Sequence, residues 1–151
     1  MNRVAAVLLA FLLLGFAVAG LIGQFLRAAG TEVRRLGGEV ERYDVQGLVA
    51  LFGARAAHED DPERAVLAAL AMQQGMAGAH WPPETGSLKI RIGLHTGEII
   101  AKPLPRRPDG AGGATLGSAA LVAEAIQASA NPGDIAASES SQRDASAPGG
   151  D

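Results

Sequence analysis

The stretch Gly37–Gly53, GGEVERYDVQGLVALFG, decides how this chain is read. Gly37-Gly38 is a stop signal for any helix that precedes it. Glu39 to Val45 alternates imperfectly, with apolar Val40 at one parity and Tyr43 and Val45 at the other, a strand with a flaw in its period. Gln46-Gly47 supplies a tight bend. Leu48 to Phe52 is a continuous apolar run, as expected of a buried strand, and Gly53 closes it. The stretch therefore reads as two strands joined by a short bend.

Working upstream, Leu21 to Leu36 reads as a helix, with Leu21, Phe25, Ala28, Ala29, Glu32, Val33 and Leu36 near helical spacing and Arg34 and Arg35 in its last turn. Before and overlapping it, Val4 to Leu26 contains no charged residue. About 20 apolar residues suffice to span a bilayer, so the run reads as a hydrophobic anchor over residues 1–26. Arg3 precedes it, and Arg27, Arg34 and Arg35 follow, which favours a cytoplasmic location for the C-terminal side. Two other readings stay open. One is a signal peptide with Ala17-Val18-Ala19 as its cleavage site. The other is an unusually apolar buried helix.

Downstream, Asp61-Pro62-Glu63 reads as a helix start, with Asp61 as cap and Pro62 in the first turn. That helix should fade between Gly75 and Gly78. Leu88, Ile90, Ile92 and Leu94 alternate with polar residues or glycine, which predicts a strand with one wet face. Thr96-Gly97 reads as a turn or bulge before a second strand from Glu98 to Ala101. Pro103 to Gly113 is a loop. Ala114 to Leu116 is a candidate short strand, Ser118 to Ser129 a helix, and Ile135 to Ala137 a last strand. Residues 139–151 are Ser, Ala and Gly with mixed charge and read as a disordered tail.

Composition sets outer limits. The hydrophobic fraction of 48% is enough for a core, but only 4% is aromatic, so packing must rest on Ala, Leu, Val and Ile. A net charge of -3 offers no broad basic surface, which argues against nucleic acid as partner. With no cysteine, disulfides and thiolate metal sites are excluded.

Taken with three further blocks, the hairpin resembles that of the class III nucleotide cyclases, the adenylate and guanylate cyclases. These blocks are AHEDDPERAVLAALAMQ (57–73), IRIGLHTGEIIA (90–101) and ATLGSAALVAEAIQ (114–127). Asn131 to Ser140 is similar to the family's closing strand and Ser-Glu segment. The resemblance implies an α/β (α+β) fold, a ferredoxin-like cyclase-homology domain over residues 27–138. It also implies dimers with the site at the interface, and ATP or GTP as substrate. In the family two carboxylates, one on the first strand and one at the hairpin bend, hold the Mg²⁺ ions that activate the nucleotide.

This chain departs from that pattern position by position. The bend carboxylate is replaced by Gln46, a neutral amide. Asp44 lies two residues away, about 6.6 Å by strand rise, beyond the reach of an ion bound at about 2.1 Å. The base-reading lysine and aspartate match Arg42 and Ser118. The asparagine and arginine that stabilise the transition state match Leu121 and Ala125, both apolar. The leader occupies the place of the first strand, so the domain is expected to be incomplete there and preceded by an apolar helix. His95 with Glu98 reads as part of the strand pattern rather than a metal or acid–base pair. Glu59-Asp60-Asp61 reads as a helix cap, and Arg106-Arg107 and Gly110–Gly113 as solvated loop.

The expectation is thus a degenerate cyclase-like module in cyclic-nucleotide signalling, inactive alone and acting through homo- or heterodimerisation with a cyclase-like domain. Its implied location is the membrane, single-pass, with the folded part cytoplasmic. The alternatives are a membrane-bound cyclase active only with a complementary subunit, and a truncated fragment without stable function. The last rests on a sheet edge left exposed by a missing central strand.

Overall fold

The computed structural model describes residues 2–10, 16–44, 47–81, 83, 88–99 and 118–146. Its elements are β1 (Asn2–Ala10), α1 (Phe16–Arg35), β2 (Glu39–Asp44), β3 (Gly47–Phe52), α2 (Asp61–Gly78), β4 (Arg91–Ile99), α3 (Ser118–Ser129), β5 (Ile135–Ala137) and α4 (Glu139–Ser146). The sheet has the order β2-β3-β1-β4-β5. β1 runs antiparallel to both β3 and β4, β2 antiparallel to β3, and β5 parallel to β4. The first six elements make the β-α-β-β-α-β ferredoxin-like unit, and α3, β5 and α4 are added to its β4 side. The mixed α+β, cyclase-type fold is as expected.

The N-terminal expectation is corrected. The domain is not incomplete at its first strand: Asn2–Ala10 is that strand, and it is central, pairing along Ala5–Ala10 with β3 and along Asn2–Ala10 with β4. A central strand with helices over both faces of the sheet has no wet side, so it reads as unbroken apolar sequence. Of the Val4–Leu26 run, Val4–Ala10 lies in β1 and Phe16–Leu26 in α1, with Ala17–Ala19 inside α1. Among the described residues no helix is long and apolar enough to cross a membrane.

α1 and α2 cover one face of the sheet. Ile22, Leu26, Ala29 and Val33 form the inward stripe of α1 and meet Leu48, Ala50 and Phe52 of β3, Ile92 and Leu94 of β4, and Ala65, Ala68, Ala69, Met72 and Met76 of α2. Spacings of three and four residues along each helix put these side chains on one side. α1 ends as Gly37-Gly38 predicts. The Gly38 N–H donates to Val33 O at 2.8 Å and the Gly37 N–H to Arg34 O at 3.0 Å. This is a Schellman closure, with Gly37 at φ 82°.

Other boundaries moved. The cap of α2 is Asp60, one residue before the expected Asp61. The Asp61 carboxylate instead accepts the His58 backbone N–H at 2.6 Å and is buried. β4 runs unbroken from Arg91 to Ile99, so Thr96-Gly97 is neither turn nor bulge, and Leu88 to Ile90 precede the strand. Residues 139–146 are not tail but helix α4, which buries Ser141. The expected loop at 103–113 and strand at 114–116 lie outside the described residues.

Candidate functional site

The hairpin's imperfect period has a structural cause. The register between β2 and β3 shifts between Val40 and Arg42, so Glu41 is the extra residue of a β-bulge. Val40 pairs with Ala50 and Tyr43 with Leu48, on the face covered by α1. The Tyr43 hydroxyl there donates to Gly23 O of α1 at 3.2 Å. Arg42 pairs with Val49 and is turned to the opposite face, where α3 packs. Without the bulge, Val40 and Arg42 would share a face. Burial, and then the neighbouring Glu39 charge, hold the Glu41 carboxyl above its ordinary range.

The end of β1 and the hairpin strands meet at one end of the sheet. Ala10, the last residue of β1, pairs with Gly47, and Gly47 pairs with Asp44. Gln46 lies outside the described residues. The first Asp or Glu anywhere in the sequence is Glu32, so neither β1 nor the residues that follow it up to α1 supply a carboxylate. Among β1, β2 and β3, Asp44 is the one acidic residue at this end. It stands two strands from Ala10, about 9–10 Å away. A single carboxylate at that separation does not make the paired site that two Mg²⁺ ions require. The residues present therefore do not fit the metal.

Of the two base-reading positions, Arg42 is exposed on the edge strand and Ser118 is the first residue of α3 rather than part of a strand. The Arg42 Nη2 donates to Glu124 Oε1 on α3 at 2.7 Å. Sequence reasoning missed Glu124, although it is the lone charged residue of an Ala-rich helix. Leu121 and Ala125 both lie on the outward side of α3, Leu121 at 62% exposure with Val122 beside it at 38%. Two apolar side chains offer neither a donor nor a charge to a phosphate.

α3 sits where it does because β4 has glycine beneath it. A Cβ on Gly93 would strike Ala123 O and lie 2.6 Å from Gln127 N. A Cβ on Gly97 would lie 3.3 Å from the Ala119 Cβ. Ala119, Ala123 and Gln127, four residues apart, form the buried side of the helix. The Gly-x-His-x-Gly pattern is thus a bed for α3.

His95, between the two glycines, shares a hydrogen bond from Nδ1 to Ser138 Oγ at 2.9 Å. Ser138 caps α4, accepting the Ser141 N–H at 3.3 Å, and Thr96 Oγ1 meets Ser141 Oγ at 3.0 Å. Burial lowers the His95 pKa. Glu98 is three positions along the same strand, on the opposite face from His95, so the two do not form a pair. Asp60 binds Arg64 and Asp61 binds the His58 backbone, which makes this acidic run a structural cap. Among the described residues no group of three His, Asp or Glu side chains could hold a metal ion. Arg106, Arg107 and Gly110–Gly113 lie outside the described residues.

No known family profile matches the sequence, and no curated protein matches it. Solved structures do. The adenylyl cyclase CyaB from P. aeruginosa matches with TM-score 0.77 and 18% identity over 95% of this chain and 80% of that one. The guanylate cyclase domain of RhGC from Catenaria anguillulae, solved with GTP, gives TM-score 0.77 and 17% identity over 96% of this chain and 82% of that one. A guanylyl cyclase domain of the RhoGC fusion protein from Blastocladiella emersonii, described as a non-canonical dimer, gives TM-score 0.76 and 19% identity over 95% and 83%. What these proteins share with this chain is a fold.

Proposed function

We propose that this chain, whose fold is that of the class III nucleotide cyclase catalytic domain, is a catalytically impaired module of cyclic-nucleotide signalling. It acts by pairing with a cyclase-like domain, a second copy or a different chain, rather than by turning over nucleotide. The observation that carries the proposal is the sheet register. It brings the end of β1 beside the end of β2, where the fold would assemble a metal site, and among β1, β2 and β3 Asp44 is the one acidic residue at that end. Loss at one position could be tolerated, but Gln46, Leu121 and Ala125 are lost together, and Arg42 is already bonded to Glu124. The five-stranded sheet of the described residues supports a folded module over an unfolded fragment.

The test is direct. Purified protein is incubated with ATP or GTP and Mg²⁺ or Mn²⁺, alone and mixed with an active cyclase domain. The expected result is no cyclic AMP or cyclic GMP from the protein alone and an altered rate or assembly mass in the mixture. Cyclic nucleotide from the protein alone would overturn the proposal. A thermal shift with ATP, without metal, tests separately whether nucleotide binding is retained, a rise in melting temperature marking a kept site.

A further inference from the structure

The eight residues of α4, ESSQRDAS, carry no apolar side chain larger than that of Ala145. A helix this short does not stand alone in water and draws its stability from an apolar face packed on the rest of the chain. α4 has no such face, and Ser141 is its one buried residue. It nevertheless lies against β4 and α2. Hydroxyl groups make the attachment. Ser138 Oγ is 2.9 Å from His95 Nδ1 and 2.9 Å from Ser140 Oγ, and Ser140 Oγ donates to Thr96 O at 3.2 Å. The buried Ser141 and Thr96 hydroxyls meet at 3.0 Å.

The direction of this chain follows from what each group can give. A carbonyl oxygen only accepts, so the single hydroxyl proton of Ser140 goes to Thr96 O. Ser138 must then donate to Ser140, and its one proton is spent. His95 Nδ1 must therefore carry a hydrogen and donate to Ser138. The chain runs from His95 through Ser138 and Ser140 to Thr96. It begins and ends on adjacent residues of β4 and closes round the first turn of α4.

We infer that α4 is a releasable latch, fastened to β4 by this chain of hydroxyls, that opens as a unit of its own while the sheet stays folded. Each link exchanges for a hydrogen bond to water at small net cost. With no apolar face to expose, α4 leaves by a sub-global opening well below the free energy of unfolding the core. Release presents the hydroxyls of Ser138, Ser140, Ser141 and Thr96 to solvent beside β5. The latch lies within one chain and is independent of the proposed pairing.

Amide hydrogen exchange on the whole protein tests it. The amides of residues 142–146 should exchange ahead of those of β3, which β1 separates from β4 in the sheet. Thr96→Val removes the buried partner of Ser141 and keeps its shape. It should speed exchange at 142–146 roughly three- to tenfold, the worth of one buried hydrogen bond, and leave β3 unchanged. Equal protection of α4 and β3, or an equal effect of Thr96→Val on both, overturns the latch. Should Thr96→Val fail to fold, His95→Asn and His95→Leu give the comparison. The Asn amide can stand in for the Nδ1 donor and should keep α4 exchange near the parent's, whereas Leu should speed it. Equal exchange in the two variants overturns the chain. Nitrogen chemical shifts of the His95 ring at neutral pH read its direction: a proton on Nδ1 supports it, and a bare Nδ1 overturns it.

Discussion

Gly93 is the residue where a single methyl group does most damage. Its missing Cβ makes room for the backbone of α3 at Ala123 and Gln127, and backbone cannot turn aside as a flexible side chain can. Gly93→Ala should therefore cost about 3 kcal/mol, read as a fall in the urea midpoint. Gly37→Ala should cost about 1–2 kcal/mol, because φ of 82° is strained for any residue with a Cβ. His95 gives a pH signature. Its folded pKa is lowered, so the unfolded chain binds protons more readily, and the contribution is full above about pH 6.5 and lost as pH falls below it. His95→Asn should flatten that part of the stability–pH curve, and an unchanged slope would contradict the burial of the ring. Glu41 has the opposite sign. Its raised pKa means the folded state favours the proton, so Glu41→Gln should raise the melting temperature at neutral pH and lose that advantage in acid.

At the scale of elements, legibility followed how many faces of each element are wet. α1 past Leu21, α2, α3 and the hairpin were readable because their apolar stripes, Gly stops and Pro start are local signals. β1 was not, since a central strand with a helix against each face lacks the alternation that marks a strand. The hairpin's broken parity was visible in Val40, Tyr43 and Val45, but only pairing with β3 shows it to be a bulge. β4 looked divided because glycine at 97 resembles a turn, when its role is to admit α3. Of the site, that Gln46, Leu121 and Ala125 differ from the residue types the resemblance implies could be read from the sequence alone. The partner of Arg42 could not, because Glu124 is brought to it by the fold. The central role of β1 is itself testable. Val7, which faces Ala50 and Leu94 across its two ladders, should not tolerate proline. Val7→Pro should abolish cooperative unfolding, whereas a dispensable leader would leave the melting curve intact.

For the molecule as a whole, the outward side of α3 separates pairing from folding. Leu121 is 62% exposed, so Leu121→Asp should leave stability within about 0.5 kcal/mol of the parent. If α3 contributes to the proposed pairing, the same substitution should weaken association roughly tenfold in sedimentation or light scattering. Equal association of parent and variant would move the pairing surface elsewhere.

The placement of β1 also sets a timetable. Both of its ladder neighbours follow it in the chain, and β4 begins some eighty positions after β1 ends. At ribosomal rates of about 5–20 residues per second, this apolar strand waits roughly 4–16 s for its second partner. During that interval Val4 to Leu9 is a bare, uncharged, β-prone segment of the kind that nascent-chain chaperones and aggregates both capture. Yield in cells should therefore track chaperone supply and growth temperature more closely than the stability of the finished fold would suggest.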